Sequence, residues 1–146
     1  MTHRGVYTMA RVHGYPHTHR EVVRFRDLDA MGHVNNAVYL TYLEQARLTY
    51  LQRLGLVRGP ATPDMILARV EIDFRDQIGP GDEVEIGVRA AGVGTKSFEL
   101  EHRLEVDGRH VADARSVLVS YDYELQESVP VPETWRRALA PEEVAA

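Results

Sequence analysis

With 146 residues the chain can form one domain with a sizeable core, and its formal net charge of −5 argues against general nucleic-acid binding. The absence of cysteine excludes disulfides, thiolate metal sites and a cysteine nucleophile. No apolar run approaches the roughly 18 residues of a membrane span and no signal peptide is recognisable, so we expect a cytoplasmic protein that does not bind membranes.

The first residues of the chain are polar and irregular. Residues 1–18 contain scattered glycine and proline, and we predict a flexible N-terminal arm there, ahead of a single domain over residues 19–146. His17 and His19 are separated by one residue, but no other ligand falls at a suitable spacing nearby, so we predict no metal site. Residues 20–25 contain three apolar side chains and predict the first β-strand.

A polar turn separates this strand from a long apolar helix. Gly32 permits the backbone conformation that a tight turn before a helix often needs, and Asn35 or Asn36 can cap the first helical amides. The helix is predicted over residues 36–54, with Gly55 as its stop. Its apolar stripe consists of Tyr39, Leu43, Ala46 and Tyr50, widened by Leu40, Leu51 and Leu54.

After a glycine- and proline-rich connection at residues 56–64, apolar and polar residues alternate along the chain. This alternation predicts strands with one buried and one exposed face, and Asp107-Gly108 is a strong hairpin signal. A single helix laid across an antiparallel sheet is the simplest packing of these elements, so we predict an α+β fold. The predicted strands cover residues 66–74, 83–90, 98–106 and 109–123, the last in a central position, and a short helix follows at residues 130–139.

One motif carries a resemblance to a known family. Residues 27–36 (DLDAMGHVNN), with Tyr39, Tyr42, Glu44, Ala46 and Arg47 after them, resemble the signature of the hotdog-fold acyl-CoA thioesterases, in the 4-hydroxybenzoyl-CoA thioesterase-like group. The resemblance implies a long central helix wrapped by a curved antiparallel sheet of about five strands. It also implies a homodimer with one continuous sheet, often paired into a homotetramer, and an acyl-CoA substrate with no separate cofactor.

Hydrolysis of a thioester needs hydrogen-bond donors for the carbonyl oxygen and a nucleophile for the carbonyl carbon. Free amides at a helix start can supply the donors, and a carboxylate just upstream can attack directly or deprotonate a water. The residues themselves leave Asp27 and Asp29 as candidates, and either could instead be a turn residue that accepts backbone hydrogen bonds. The resemblance implies that Asp29 is catalytic and that Asp27 is structural.

The resemblance implies further site residues. Asn36 aligns with the position whose backbone N–H faces the carbonyl, but the aromatic residue of the benzoyl-type enzymes is missing there, so aliphatic and aryl acyl groups are both candidates. His33 is a candidate proton donor to the leaving thiolate or a wall of the site, and otherwise packs the turn. Lys96 and Ser97 lie on a turn where family members often hold the nucleotide of coenzyme A.

The expected activity is hydrolysis of an acyl-CoA to the free acid and CoA. An acyl-carrier-protein thioesterase would use the same residues on a protein-borne substrate. A non-catalytic, oligomeric acyl-binding protein could use the same scaffold. A hotdog dehydratase is disfavoured, because its acid–base histidine belongs to a different motif that this sequence lacks.

Overall fold

The computed structural model describes residues 11–57 and 64–140, so most of the predicted connection at residues 56–64 lies outside it. Within these ranges one long helix lies against an antiparallel sheet, and a short helix follows the last strand. The elements are β1 (His17–Val22), a 3-10 helix (Phe25–Asp27), α1 (Val38–Arg53), β2 (Met65–Phe74), β3 (Glu83–Val93), β4 (Ser97–Val106), β5 (Arg109–Asp122), β6 (Glu127–Ser128) and α2 (Glu133–Ala138).

The strands run in the order β1-β3-β4-β5-β2, and each neighbouring pair is antiparallel. The two-residue strand β6 pairs with the end of β5. Asp107 and Gly108 join β4 to β5 with φ values of 50° and 77°, the left-handed backbone of the predicted hairpin turn. The prediction that the last long strand is interior is confirmed, because β5 pairs with β4 on one side and β2 on the other.

Helix α1 begins at Val38, two residues later than predicted, and ends at Arg53. Gly55 follows with a φ of 75°, a conformation that glycine adopts readily at a helix end, so the predicted stop is confirmed. Leu40, expected to widen the apolar stripe, is instead 41% exposed. Neither helix within the described ranges is long and apolar enough to span a membrane.

The core lies between α1 and the inner face of the sheet. The predicted stripe on α1 is fully buried, and α1 packs mainly against β1 and β3. Alternate side chains of the central strands complete the core, which places about every second residue of β3, β4 and β5 out of water. These buried strand residues include Val84, Ile86, Val88, Phe98, Leu100, Leu104, Ala112 and Leu118.

Strand β1 begins three residues earlier than the prediction of residues 20–25. Its side chains that contact α1 belong to His17 and His19, and the Thr49 hydroxyl lies 2.9 Å from His17 Nε2 and 3.2 Å from His19 Nδ1. Glu21 Oε2 in turn lies 2.6 Å from His19 Nε2. Because polar groups on the inner face of β1 find partners, this strand does not need the apolar side chains on which the prediction relied.

The segment before β1 packs against the outer face of the sheet. A Cβ atom at Gly87 would come within 2.7 Å of the Tyr15 ring and 2.9 Å of Val12, so only glycine leaves room for this contact. Val12 is 1% exposed, and the Arg89 guanidinium lies 4.6 Å from the centre of the Tyr15 ring. Val12 and Tyr15 are therefore packed against the sheet, and His17 and Thr18 belong to β1, so this part of the predicted arm is not free of the domain. The first ten residues of the predicted arm lie outside the described residues.

Strand β2 forms one edge of the sheet, and it is less buried than predicted. Ile66 and Phe74, on the face that was expected to be buried, are 39% and 48% exposed, and Leu67 on the opposite face is 42% exposed. An edge strand has unpaired backbone N–H and C=O groups along its outer side. Exposed apolar side chains beside such an edge mark a surface suited to pairing with another chain.

Candidate active site

A tight loop follows the 3-10 helix and leads into α1. A single β-bridge joins Leu28 to Val34 across it. Asp29 N–H donates to His33 O at 2.8 Å, and Gly32 N–H donates back to Asp29 O at 3.1 Å. Gly32 has a φ of 79°, which confirms the conformation expected of this glycine. The backbone bonds of the loop therefore hold Asp29 at a fixed place just upstream of α1.

The Asp29 side chain accepts hydrogen bonds from this loop and is also exposed to solvent. Its Oδ1 accepts hydrogen bonds from Met31 N–H at 2.9 Å and His33 N–H at 3.3 Å, as a turn aspartate does. No described residue donates a hydrogen bond to the second carboxylate oxygen, Oδ2, and the side chain is exposed. One carboxylate oxygen is thus anchored while the other is open to a water or a ligand.

The segment just before α1 contains a free backbone donor. Asn35 Oδ1 accepts a hydrogen bond from Ala37 N–H at 2.9 Å, and Asn35 O accepts one from Val38 N–H at the same distance. The predicted capping role thus falls to Asn35, while the residue at the N-cap position, Ala37, makes no side-chain cap. No described residue accepts a hydrogen bond from Asn36 N–H, so this amide is a free donor.

Asp27, the other candidate aspartate, is buried, with 7% of its surface exposed. Its Oδ2 accepts hydrogen bonds from Tyr42 OH at 2.8 Å and from Arg24 N–H at 2.9 Å. Its backbone oxygen accepts one from Asn35 N–H at 2.9 Å. With both its carboxylate and its carbonyl engaged in the fold, Asp27 has the contacts of a structural residue.

A pocket of about 300 Å³ opens beside the loop. It brings together three of the predicted site residues: Asp29, His33 and Asn36. The His33 side chain is partly buried, whereas Asp29 and Asn36 are exposed. The other lining residues are Val34, Tyr39, Phe74, Arg75, Asp76, Gln77 and Ile78.

Two aromatic rings, together with Val34 and Ile78, form the apolar part of the wall. Tyr39 on α1 and Phe74 at the end of β2 meet edge to face, with ring centres 4.9 Å apart and an angle of 86° between the planes. Tyr39 is 3% exposed, and burial raises the pKa of its hydroxyl, which therefore stays protonated at neutral pH. Helix and sheet edge thus contribute to the same pocket.

The loop after β2 supplies a charged wall that the sequence did not reveal. The Asp76 carboxylate lies 2.7 Å from Arg109 Nη1, and this hydrogen bond holds the pKa of Asp76 below its ordinary value. Arg75 Nε donates to Asp113 Oδ2 at 2.6 Å. No sequence motif predicts a functional role for this loop. The only signal in the sequence is that the alternating pattern ends at Phe74, which predicts that a loop begins there.

A sequence model described as the thioesterase-like superfamily matches residues 23–139, which include the Asp29 loop, α1 and β2 to β6. The chain belongs to the thioesterase-like superfamily. Its long helix and curved antiparallel sheet are the hotdog fold of that superfamily's acyl-CoA thioesterases, as the sequence predicted.

Similar proteins include a thioesterase of Thermus thermophilus, whose crystal structure is described as complexed with coenzyme A and Zn. The two share 40% identity with a TM-score of 0.78 over 88% of this chain and 94% of that one. A 1,4-dihydroxy-2-naphthoyl-CoA hydrolase of Synechococcus elongatus is 27% identical over 119 residues, 78% of this chain and 88% of that protein. YsmA of Bacillus subtilis, an uncharacterized protein, is 30% identical over 80 residues, and the chain spans about half of it (54%). Superfamily and relatives together identify the chain as a thioester hydrolase.

Lys96 and Ser97, the residues expected near the nucleotide in a thioesterase of this group, are not in the pocket with Asp29. They lie at the turn from β3 to β4, where Gly94 N–H donates to Ser97 O at 2.7 Å and Ser120 N–H donates to Lys96 O at 2.9 Å. The Lys96 side chain is exposed. Within one chain the turn is therefore well ordered but separate from the pocket.

The two histidines of β1 are engaged in the fold. Burial, followed by the nearby Arg53 and His19, lowers the pKa of His17 to about 4, so the ring is neutral at pH 7. Across residues 11–57 and 64–140, no three histidine, aspartate or glutamate side chains are grouped so that they could hold a metal ion. The contacts of His17 and His19 with Thr49 thus join β1 to α1, while the contact of His19 with Glu21 lies within β1.

Proposed function

We propose that this thioesterase-like chain hydrolyses acyl-CoA thioesters, with Asp29 as nucleophile or general base and Asn36 N–H as the oxyanion donor. The observation that carries the proposal is that a carboxylate with a free oxygen and an amide with no acceptor among the described residues line one pocket. The family pattern, in which the second aspartate of the motif is catalytic, supports the same assignment.

The arrangement meets both chemical requirements of the reaction. Asn36 N–H lies two residues before α1, near the positive end of the helix dipole, which also favours negative charge on a carbonyl oxygen. A single donor of this kind typically contributes about 3 kcal/mol to lowering the barrier. Asp29 either attacks the carbonyl carbon, giving a mixed anhydride that a water then hydrolyses, or deprotonates a water that attacks the carbon directly. In both cases the carbon–sulfur bond breaks to release the CoA thiolate, and the acyl group leaves as the free acid.

His33 has a secondary part in this proposal. Its backbone N–H helps to anchor Asp29 Oδ1, and its side chain contributes to the pocket wall. A thiolate is a weakly basic leaving group and needs little protonation, so proton donation by His33 is not essential to the reaction. The role that we assign to it is to shape the site around Asp29.

The substrate class rests on the relatives and the pocket. One relative is named as a CoA hydrolase and another is described as complexed with coenzyme A, which supports a CoA ester here. The Tyr39 and Phe74 rings offer an apolar wall that suits either an aryl or an aliphatic acyl group. Lys96 and Ser97 are our candidates for contact with the nucleotide, since an exposed lysine can pair with phosphate.

A thiol-release assay tests the proposed reaction. Wild-type protein should release free CoA from at least one member of a panel of aromatic and aliphatic acyl-CoAs, measured with a thiol reagent. The same acyl groups on acyl carrier protein give the comparison, and we expect slower release from them. Tight binding of acyl-CoA without thiol release would contradict the enzyme proposal and favour an acyl-binding protein.

We further propose a homodimer in which two β2 strands pair edge to edge, with a pair of dimers as the next level of assembly. The support is the open edge of β2 beside the exposed Ile66 and Leu67. Sedimentation should give at least twice the 16.5 kDa of one chain, and Leu67→Asp should shift the protein towards a single chain. Leu125→Asp, at a 64% exposed leucine outside β2, is the control. A monomeric wild type, or an equal effect of both variants, contradicts this interface.

A further inference from the structure

The proposed reaction needs Asp29 and Asn36 N–H at a fixed separation, yet they lie on either side of the loop before α1. A buried hydrogen bond connects the start of that loop to the helix. Asp27 Oδ2 accepts the Tyr42 hydroxyl at 2.8 Å, and Tyr42 is 2% exposed on the inner side of α1. No motif assigned a role to this hydroxyl.

We propose that Tyr42 is a positioning residue, whose hydrogen bond to Asp27 fixes the distance between the Asp29 carboxylate and the Asn36 amide. The inference rests on the proposed function, because it concerns the geometry of that same site. Tyr42 does not line the pocket and touches neither reacting group, so it acts only through Asp27.

The contacts of Asp27 explain how one hydroxyl can set this distance. Asp27 accepts the Tyr42 bond through its side chain and the bond from Asn35 N–H through its backbone oxygen. Asp29 follows two residues after Asp27, and Asn36 follows directly after Asn35. A shift of Asp27 relative to α1 therefore moves the carboxylate and the start of the helix with respect to each other.

Burial keeps the hydrogen bond between Tyr42 and Asp27 formed, with the Tyr42 hydroxyl always as the donor. The Asp27 carboxylate is buried, so a donor lost from it is not readily replaced by bulk water. Burial and the bond to Asp27 raise the pKa of Tyr42 well above its ordinary value, so the hydroxyl remains a donor throughout the working pH range. The link is thus present whenever the site is in use.

Tyr42→Phe tests the role by removing a single oxygen atom. We expect kcat per folded molecule to fall about 10- to 100-fold, as for a displacement of about 1 Å in a reacting group, while KM changes less than about threefold. Tyr123→Phe is the matched control, because the Tyr123 hydroxyl donates to Met65 O at 2.8 Å outside the pocket. It should lose one tyrosine hydrogen bond and keep kcat.

A double variant separates positioning from stability. In Tyr42→Phe the buried Asp27 carboxylate keeps the hydrogen bond from Arg24 N–H but loses the one from Tyr42. Adding Asp27→Asn removes the charge that has lost this donor, so the melting temperature should recover relative to Tyr42→Phe while kcat stays low. It also gives a folded protein for the test if Tyr42→Phe alone does not fold. Recovery of kcat together with the melting temperature would show that the hydroxyl acts on stability only, and would overturn the proposal.

Hydrogen exchange gives a readout that does not depend on activity. Exchange of the Asn35 amide should be faster in Tyr42→Phe than in wild type and unchanged in Tyr123→Phe. If wild type releases no thiol from any substrate, the proposed function fails. The exchange rate of the Asn35 amide then still tests whether the Tyr42 hydroxyl fixes the loop relative to α1. Unchanged Asn35 exchange, or a folded Tyr42→Phe with wild-type kcat, overturns the inference while leaving the proposed function standing.

Discussion

Replacing Asp29 with asparagine is expected to lower kcat by about 10²- to 10⁴-fold, the usual contribution of a positioned general base, or by more if Asp29 is the nucleophile. Asparagine keeps a side-chain oxygen that can accept the bonds from Met31 and His33, so the loop should retain its shape. The variant loses only the charge that attacks the carbonyl carbon or a water. Steady-state thiol release on the best acyl-CoA of the panel measures the change.

Asp82→Asn is the matched control for this experiment. Asp82 Oδ2 accepts Gly79 N–H at 2.8 Å, so Asp82 is also a turn aspartate, but it does not line the pocket. The control should fold and turn over substrate as wild type does. A folded Asp29→Asn with near-normal kcat would mean that Asp29 is only a turn residue like Asp82, and the catalytic assignment would be lost.

The free energy of unfolding is expected to fall as the pH is lowered from about 6.5 towards 4. Burial, with a further contribution from Arg47, lowers the pKa of His102 to about 3, against an opposing effect of Glu101, and burial lowers that of His17 to about 4. Above pH 6.5 both rings are neutral in the folded and unfolded chains. Below it the unfolded chain binds protons that the folded chain excludes, so His102 alone should cost on the order of 1 kcal/mol per pH unit.

Urea denaturation at several pH values between 7 and 4.5 measures this loss. His102→Gln keeps a polar partner for the Ser116 hydroxyl, which lies 3.2 Å from His102 Nε2, but cannot titrate, so the pH dependence should become shallower. His17→Gln should reduce it further. His13→Gln removes an exposed histidine and should leave the slope as in wild type. An unchanged slope in both buried-histidine variants would contradict the assignment.

The parts of the fold with strong local signals could be predicted from the sequence. The apolar stripe of α1 and the turn residues Gly32, Gly55 and Gly108 lie where expected, because helical period and left-handed backbone are set by nearby residues. The motif also predicted that Asp29, with His33 and Asn36, would gather at one place, and the pocket contains all three. Their roles in the reaction stay predictions, which the variants described above test.

Other features depend on contacts between distant segments and leave no local signal. β1 has polar residues on its inner face because Thr49 on α1 satisfies them. His102 occupies a position of β4 whose side chain faces the core, where the alternating pattern predicts an apolar residue. Its almost complete burial is seen only in the structure. Arg75 and Asp76 form part of the pocket wall after β2, and ion pairs with residues of β5 hold both side chains in place.

The contact at Gly87 bears on how larger assemblies could form. The chain's own N-terminal segment, through Val12 and Tyr15, already occupies that patch of the sheet, and Arg89 lies over the Tyr15 ring. Two sheets that stacked back to back could not interdigitate closely at this point, because they would meet ring and guanidinium rather than bare backbone. A tetramer of this chain whose dimers packed through this face would therefore have the Tyr15 rings and Arg89 side chains in its interface.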